Sequence, residues 1–167
     1  MPTEVLVKYG TPITWENGGT PAMNLDSLAT VAARQGAKHD LTATHADEYL
    51  VEVMIDTGGT APAVGATIDV YLSRSNSGTA GTGNEGGASG TDAAYTGIGS
   101  ATILESIVQC LFVGSVVCVD EVDTNLIQFF RVSPGARYVS PIVYNATSQT
   151  LGAASYVKMT PIIPESQ

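Results

Sequence analysis

Gly81-Thr82-Gly83-Asn84-Glu85-Gly86 has the spacing of a dinucleotide-binding turn, whose glycines let backbone amides close on a pyrophosphate at a helix N-terminus. That chemistry needs a strand before the turn and a helix after it, and here more glycine follows at Gly87 and Gly90. The match is read as a product of local composition, and no cofactor is expected. His39 and His45, with Asp40 and Asp47 beside them, are the residue types that hold a metal. They lack the tight i, i+2 or i, i+4 spacing of a metal site and have no Cys nearby, so they are read as surface histidines. Asp120, Glu121 and Asp123 lack the alternating oxygen ligands and glycine hinge of a calcium loop and are read as a solvated turn. No Gly-x-Ser-x-Gly elbow precedes a helix, and a serine nucleophile without a base in reach is inert. The expectation is that the chain is not an enzyme and has no catalytic, cofactor-binding or metal-binding residues.

The aromatic side chains allow a different chemistry. Trp15, Tyr71, Tyr95, Tyr138 and Tyr144 could stack on a sugar, but tyrosines on strands more commonly pack cores and interfaces, and that reading is preferred. Arg131 and Arg137 flank the Ser133-Pro134-Gly135 turn in an otherwise acidic chain, and planar guanidinium groups suit protein–protein contacts. Trp15, Arg34, Tyr95, Arg131, Arg137 and Tyr138 are therefore the interface candidates.

The elements that must position them follow from punctuation and period. At 167 residues the chain can bury one core, and 44% apolar with 14% charged residues is a globular composition. Residues 1–46 carry Pro2, Pro12 and Pro21 among several glycines and read as an extended arm, with a short helix through Leu25, Leu28, Ala29 and Ala32. From Asp47 the period becomes two. Tyr49, Val51, Val53 and Ile55 mark one half-buried strand, and Ile68, Val70 and Leu72 a second that pairs with it through the turn-rich 57–65 segment.

Between Ser73 and Ser100 lies a Gly, Ser and Thr tract, too long for an ordinary connection and ending in Thr91-Asp92-Ala93-Ala94-Tyr95 as an anchor. It is read as an ordered Ω-type loop. Further strands are expected at 107–112 and 115–119, both central because they are apolar on both faces, then at 126–132, 138–144 and 156–163. Pro141 places the 138–144 strand at an edge or a bulge. The predicted fold is all-β: an antiparallel β-sandwich of jelly-roll or immunoglobulin-like type over 47–167, with the 1–46 arm and the 73–100 loop.

Charge and hydropathy exclude two partner classes. A net charge of −9 with only seven Lys and Arg argues against nucleic acid. The longest apolar run, 110–119, is too short to span a bilayer, and the N-terminus lacks the pattern of an export signal. Synthesis in a cytoplasm is expected, where Cys110 and Cys118 act as small buried hydrophobes rather than a disulfide. Asn145-Ala146-Thr147 fits a glycosylation sequon, whose meaning depends on secretion.

Four pieces taken in order carry a resemblance. They are Ser27-Leu28-Ala29 through Arg34-Gln35-Gly36-Ala37-Lys38-His39-Asp40; Val70-Tyr71-Leu72-Ser73; the 81–95 loop; and Ala136-Arg137-Tyr138-Val139-Ser140-Pro141-Ile142-Val143-Tyr144-Asn145 with Lys158-Met159-Thr160-Pro161-Ile162. In these the chain resembles small structural proteins of tailed bacteriophages and prophages. The resemblance implies a virion component assembled in the host cytoplasm. Its leading form is a capsid decoration or cement protein, a trimer or dimer that binds the major capsid protein on the outside of the shell, with residues 1–46 helping to grip it. A tail or baseplate component, and a glycan-binding host-attachment module, are the alternatives.

Overall fold

The computed structural model describes residues 5–44 and 46–166. The strands, in chain order, are β1 (Val5–Tyr9), β2 (Ile13–Trp15), β3 (Ala32–Gln35), β4 (His39–Asp40), β5 (Glu48–Asp56), β6 (Thr67–Ser75), β7 (Ala93–Tyr95), β8 (Leu111–Val117), β9 (Asn125–Val132), β10 (Tyr138–Asn145) and β11 (Tyr156–Ser166), with one helix, α1 (Ile103–Ile107), before β8. Period-two burial follows the sequence pattern closely. In β5, Tyr49, Val51, Val53 and Ile55 are buried while Glu48, Glu52 and Asp56 face out, as a half-buried strand requires.

Two antiparallel sheets pack face to face as a β-sandwich. One has the order β1-β11-β5-β9, with β2 also on β11; the other has the order β7-β3-β10-β6-β8, with β4 also on β10. Taking β1 with β2, and β3 with β4, as interrupted single strands, the pairing is nested. The first strand pairs with the last, the second with the next to last, β5 with β9 and β6 with β8. This is a long hairpin rolled on itself, the jelly-roll arrangement of two Greek keys. The main core lies between the sheets and includes Trp15, Met23, Leu25, Val51, Val53, Ile68, Val70, Leu72, Val116, Val139, Val143, Val157 and Met159.

Several expectations are corrected. Over its described residues, the segment expected as an extended arm is built into the sandwich: β1 and β2 pair with β11, and β3 and β4 pair with β10. The helix expected through Leu25 to Ala32 is absent: Ser27 and Val31 take left-handed backbone angles, φ 57° and 56°, that no α-helix contains. Leu25 and Leu28 enter the core from turns instead.

β5 and β6 do not pair. They lie in opposite sheets, so the 57–66 connection arches over the end of the sandwich. The strand expected at 107–112 begins as helix α1, whose start is a capping box: Glu105 N donates to Thr102 Oγ1 at 3.2 Å, and Thr102 N donates to Glu105 Oε2 at 2.8 Å. β8, expected to be central, is an edge, and its outward Phe112 packs on Tyr71 with ring centroids 5.1 Å apart.

β10, expected at an edge or a bulge because of Pro141, is central, and its register with β6 runs unbroken through Pro141. Pro141 O accepts a 2.8 Å hydrogen bond from Gly36 N just past the end of β3, and the Gly36 carbonyl that proline cannot meet in return accepts from Ser140 Oγ instead.

Candidate functional site

The two outer faces of the sandwich are treated differently. Residues between β6 and β8 fold back over the outer face of the β10 sheet and form a second core. There Ala88, Tyr95, Ile107 and Cys110 close on Ala33, Ile142 and Tyr144, with Tyr71 and Ile103 at its margin. Each large apolar side chain buried here contributes about 1.5–3 kcal/mol relative to exposure. Burial foremost, and then Cys110 nearby, pushes the Tyr95 hydroxyl up to about 12, and that hydroxyl donates to Gly86 O. Burial pushes the Cys110 thiol up to about 12, with the Glu85 charge adding to it, which leaves an unreactive thiol.

The Gly-rich tract is the brace of this roof. Arg74 grips Glu85 with two donors, Nε to Oε2 at 2.8 Å and Nη2 to Oε1 at 2.7 Å, while Ser73 Oγ donates to Glu85 O at 2.8 Å. Arg34 pairs with Asp92 at 2.6 Å, and Ser89 N donates to Gln35 Oε1 at 2.7 Å. Lys38 supplies a further staple. Its ammonium donates to Ser77 O at 2.8 Å, Thr79 O at 2.9 Å, Thr82 O at 3.2 Å and Ser75 Oγ at 3.3 Å, and its backbone N donates to Gly90 O at 2.9 Å. Burial lowers the Lys38 amine below its ordinary value.

Gly86, within the dinucleotide-like pattern, belongs to a single 3-10 turn over Glu85–Gly87 and has φ 62°. A Cβ there would lie 2.5 Å from Cys110 Sγ and 2.8 Å from the Tyr95 hydroxyl, so glycine is demanded by angle and by space. The glycines of this tract serve a compact roof.

The outer face of the β11 sheet carries no such cover among the described residues. Register places Val7 and Tyr9 of β1, Leu50 and Met54 of β5, and Ile127 and Phe129 of β9 on that face. Val7 is 59% exposed, Tyr9 60%, Ile127 47% and Phe129 57%. In the middle sits a polar trio: Lys158 pairs with Glu52 at 2.7 Å, and the Tyr156 hydroxyl donates to the same carboxylate. Burial works to raise Glu52, but hydrogen bonds from Lys158 and Tyr156, together with the Lys158 charge, outweigh it and hold the carboxyl below its ordinary value. Burial and that carboxylate push Tyr156 up to about 12. Val7, Tyr9, Ile127 and Phe129 leave apolar area exposed on a face the described residues do not cover, around a polar centre whose groups are already paired with one another.

The six interface candidates separate. Trp15 is 0% exposed, donates Nε1 to Ala37 O at 2.7 Å and meets His39 edge-on at 5.9 Å, while Tyr95 is 1% exposed. Both are core residues, and with Tyr144 also buried, a stacked-sugar platform of these aromatics is not formed. Arg34 braces the roof. Arg131 pairs with Glu48 on an exposed strand. Arg137 and Tyr138 do come together: the guanidinium lies 4.9 Å from the Tyr138 ring centroid and pairs with Asp40 at 2.9 Å. Hydrogen bonds from Arg137 and then Thr42 hold the Asp40 carboxyl well below the usual carboxylate range.

Beside them Leu41, Asp47, Tyr49, Asn76, Pro134 and Arg137 line an open groove of about 670 Å³. His45 lies outside the described residues, and among the described residues no three His, Cys, Asp or Glu side chains cluster as metal ligands. No helix among them is long and apolar enough to cross a membrane.

Lys38 was missed in the sequence because nothing local marks a lysine whose partners lie about forty residues away. α1 had a legible signal in Thr102-Ile103-Leu104-Glu105. The geometry defines a jelly-roll sandwich with one self-covered and one open face. No family model matches the chain, and no curated protein matches it.

Proposed function

We propose that this chain is a structural component of a tailed-bacteriophage virion, a capsid decoration protein that seats on the outer surface of the head shell and contacts the major capsid protein. The observation that carries the reading is the open, partly apolar outer face of the β11 sheet on a sandwich that roofs its other sheet with its own loop. A protein whose task is to add to a preformed shell needs one rigid face to bury, and binding only the assembled shell stabilises it by mass action. The order of the resembling segments supports the same class. β1 brings the N-terminal segment to that face through Val7 and Tyr9, so grip comes from a strand and not from a loose arm.

Quantitative mass spectrometry of virions separated into head and tail fractions tests the assignment. High copy number with heads is expected, together with loss of head binding in a Val7→Lys/Tyr9→Lys variant that remains folded. Low copy number confined to tails would move the protein to the tail or baseplate, and affinity for host glycan with neither fraction would make it an attachment module.

A further inference from the structure

The sandwich has four sheet edges, and three carry the devices that keep strands from pairing with other chains. β7 has only three residues; β8 contains Gly114 and a register break opposite Val70 and Tyr71; and the β1/β2 edge is interrupted at Gly10-Thr11-Pro12. The fourth, β9, has none of them. Its eight residues, Asn-Leu-Ile-Gln-Phe-Phe-Arg-Val, contain no Pro, Gly or Lys, and its register with β5 runs unbroken from Asn125↔Asp56 to Val132↔Tyr49. Among the described residues its backbone groups bond only to β5, which leaves every second N–H and C=O directed to the open edge. Ile127 and Phe129 stand exposed along it.

We propose that β9 is a homodimerisation edge, at which two copies pair antiparallel about a two-fold axis and join their β11 sheets into one. The sequence of β9 is complementary to itself in one register. With Gln128 on the axis, Ile127 faces Phe129 of the second copy, Leu126 faces Phe130, and Asn125 faces Arg131, so each residue meets one of its own kind or a polar partner. Charge agrees. Arg131, exposed beside Glu48 at one end of the strand, is carried toward the other end of its mate, where Asp56 lies in register with Asn125 and Asp123 stands in the turn that leads into the strand. Two copies each of net charge −9 thereby meet with basic against acidic at both ends. Sliding the register by two places Phe129 on Phe129 and sets Arg131 against Ile127, which loses both matches. The contact uses up the free edge of each copy, so it closes at two and does not propagate.

The inference is independent of the virion assignment, because it concerns the isolated protein in solution. Sedimentation equilibrium of the full chain is expected to show a dimer, and an Ile127→Lys/Phe129→Lys variant, which sets lysine against lysine across the axis, should weaken association at least about tenfold. Both side chains are exposed, so the monomer fold should persist by circular dichroism. A second measurement decides if that variant fails to fold. A nitroxide on Gln128→Cys, with native Cys110 and Cys118 buried, should show strong dipolar coupling between copies. A wild type that stays monomeric at high concentration, a dimer indifferent to the lysines, or an uncoupled label at 128 would overturn the proposal.

Discussion

The outer faces of the two sheets are made from strands of similar length and the same alternation, yet the chain spends its longest connection covering one and leaves the other open. On the β10 sheet the outward residues include Ala33, Ile142 and Tyr144, which the folded 76–110 segment buries, and Gln35 and Ser73, which that segment hydrogen-bonds. On the β11 sheet the centre is Glu52, Lys158 and Tyr156, which satisfy one another, and the apolar residues sit at the margins. A face with an apolar centre must be covered for the monomer to be stable. A face with a paired polar centre can wait in water for a partner. The contrast separates a surface the monomer has to bury from one it can leave in water, and it can be broken from either side.

The largest effect is expected in the roof. Tyr95→Ala removes a fully buried ring and the hydrogen bond to Gly86 O, and should cost about 3–5 kcal/mol in chemical denaturation. Gly86→Ala adds one methyl where φ is 62° and Cys110 and Tyr95 leave no room; a loss of about 2–4 kcal/mol is expected by the same measurement. A wild-type denaturation midpoint in either variant would show that the roof is not part of the cooperative fold.

A smaller effect is expected at the staple. Lys38→Met removes an ammonium shared among four oxygens, some of which water can reach, so the cost should be about 1–2 kcal/mol. Amide exchange should rise through 76–84 and change little in β5 and β11. Uniform protection would mean that the tract is held by Arg74–Glu85 and Arg34–Asp92 without it.

On the open face, pH separates the polar centre from its margins. The Glu52 carboxyl lies below its ordinary value of 4.5 in the folded protein, so its stabilisation is present above that value and is lost as pH falls through the folded one. Glu52→Gln should therefore shrink the drop in denaturation midpoint between neutral and acid pH while leaving the roof's amide exchange unchanged. An acid-induced drop identical to wild type would remove Glu52 from the stabilising network.

Much of this comparison could be read in the sequence, for a reason visible in the residues. Alternation in Tyr49 to Ile55 and Ile68 to Leu72 reports burial against a core, and those strands form with the expected faces inward. It does not report which strand is the neighbour: β5 and β6 adjoin in the chain yet sit in opposite sheets. The same limit holds for β8, an edge, and β10, a central strand. β8 is apolar outward because Phe112 meets Tyr71, and Pro141 is tolerated centrally because its neighbours β3 and β4 part at Gly36. Trp15 and Tyr95 show it at the site: residue type marks an aromatic as suited to an interface or a core, and only the fold of distant segments decides.

The smallest expected effect is the sharpest test of the contrast. Tyr9 is as large as Tyr95 and differs from it chiefly in standing 60% exposed on the open face, where the Tyr95 side chain is 1% exposed beneath the roof. If the open face is reserved for a partner, Tyr9→Ala should change monomer stability by no more than about 0.5 kcal/mol, the ordinary range for a surface substitution. The ring's burial energy is not collected in the monomer, so removing it costs little there. On the proposed decoration role the same energy is collected only when a shell covers the face, and the variant is then expected to bind phage heads more weakly at unchanged denaturation midpoint. A Tyr9→Ala protein that unfolds as readily as Tyr95→Ala would show that β1 is holding the sandwich together and that the two faces differ less than their exposure suggests.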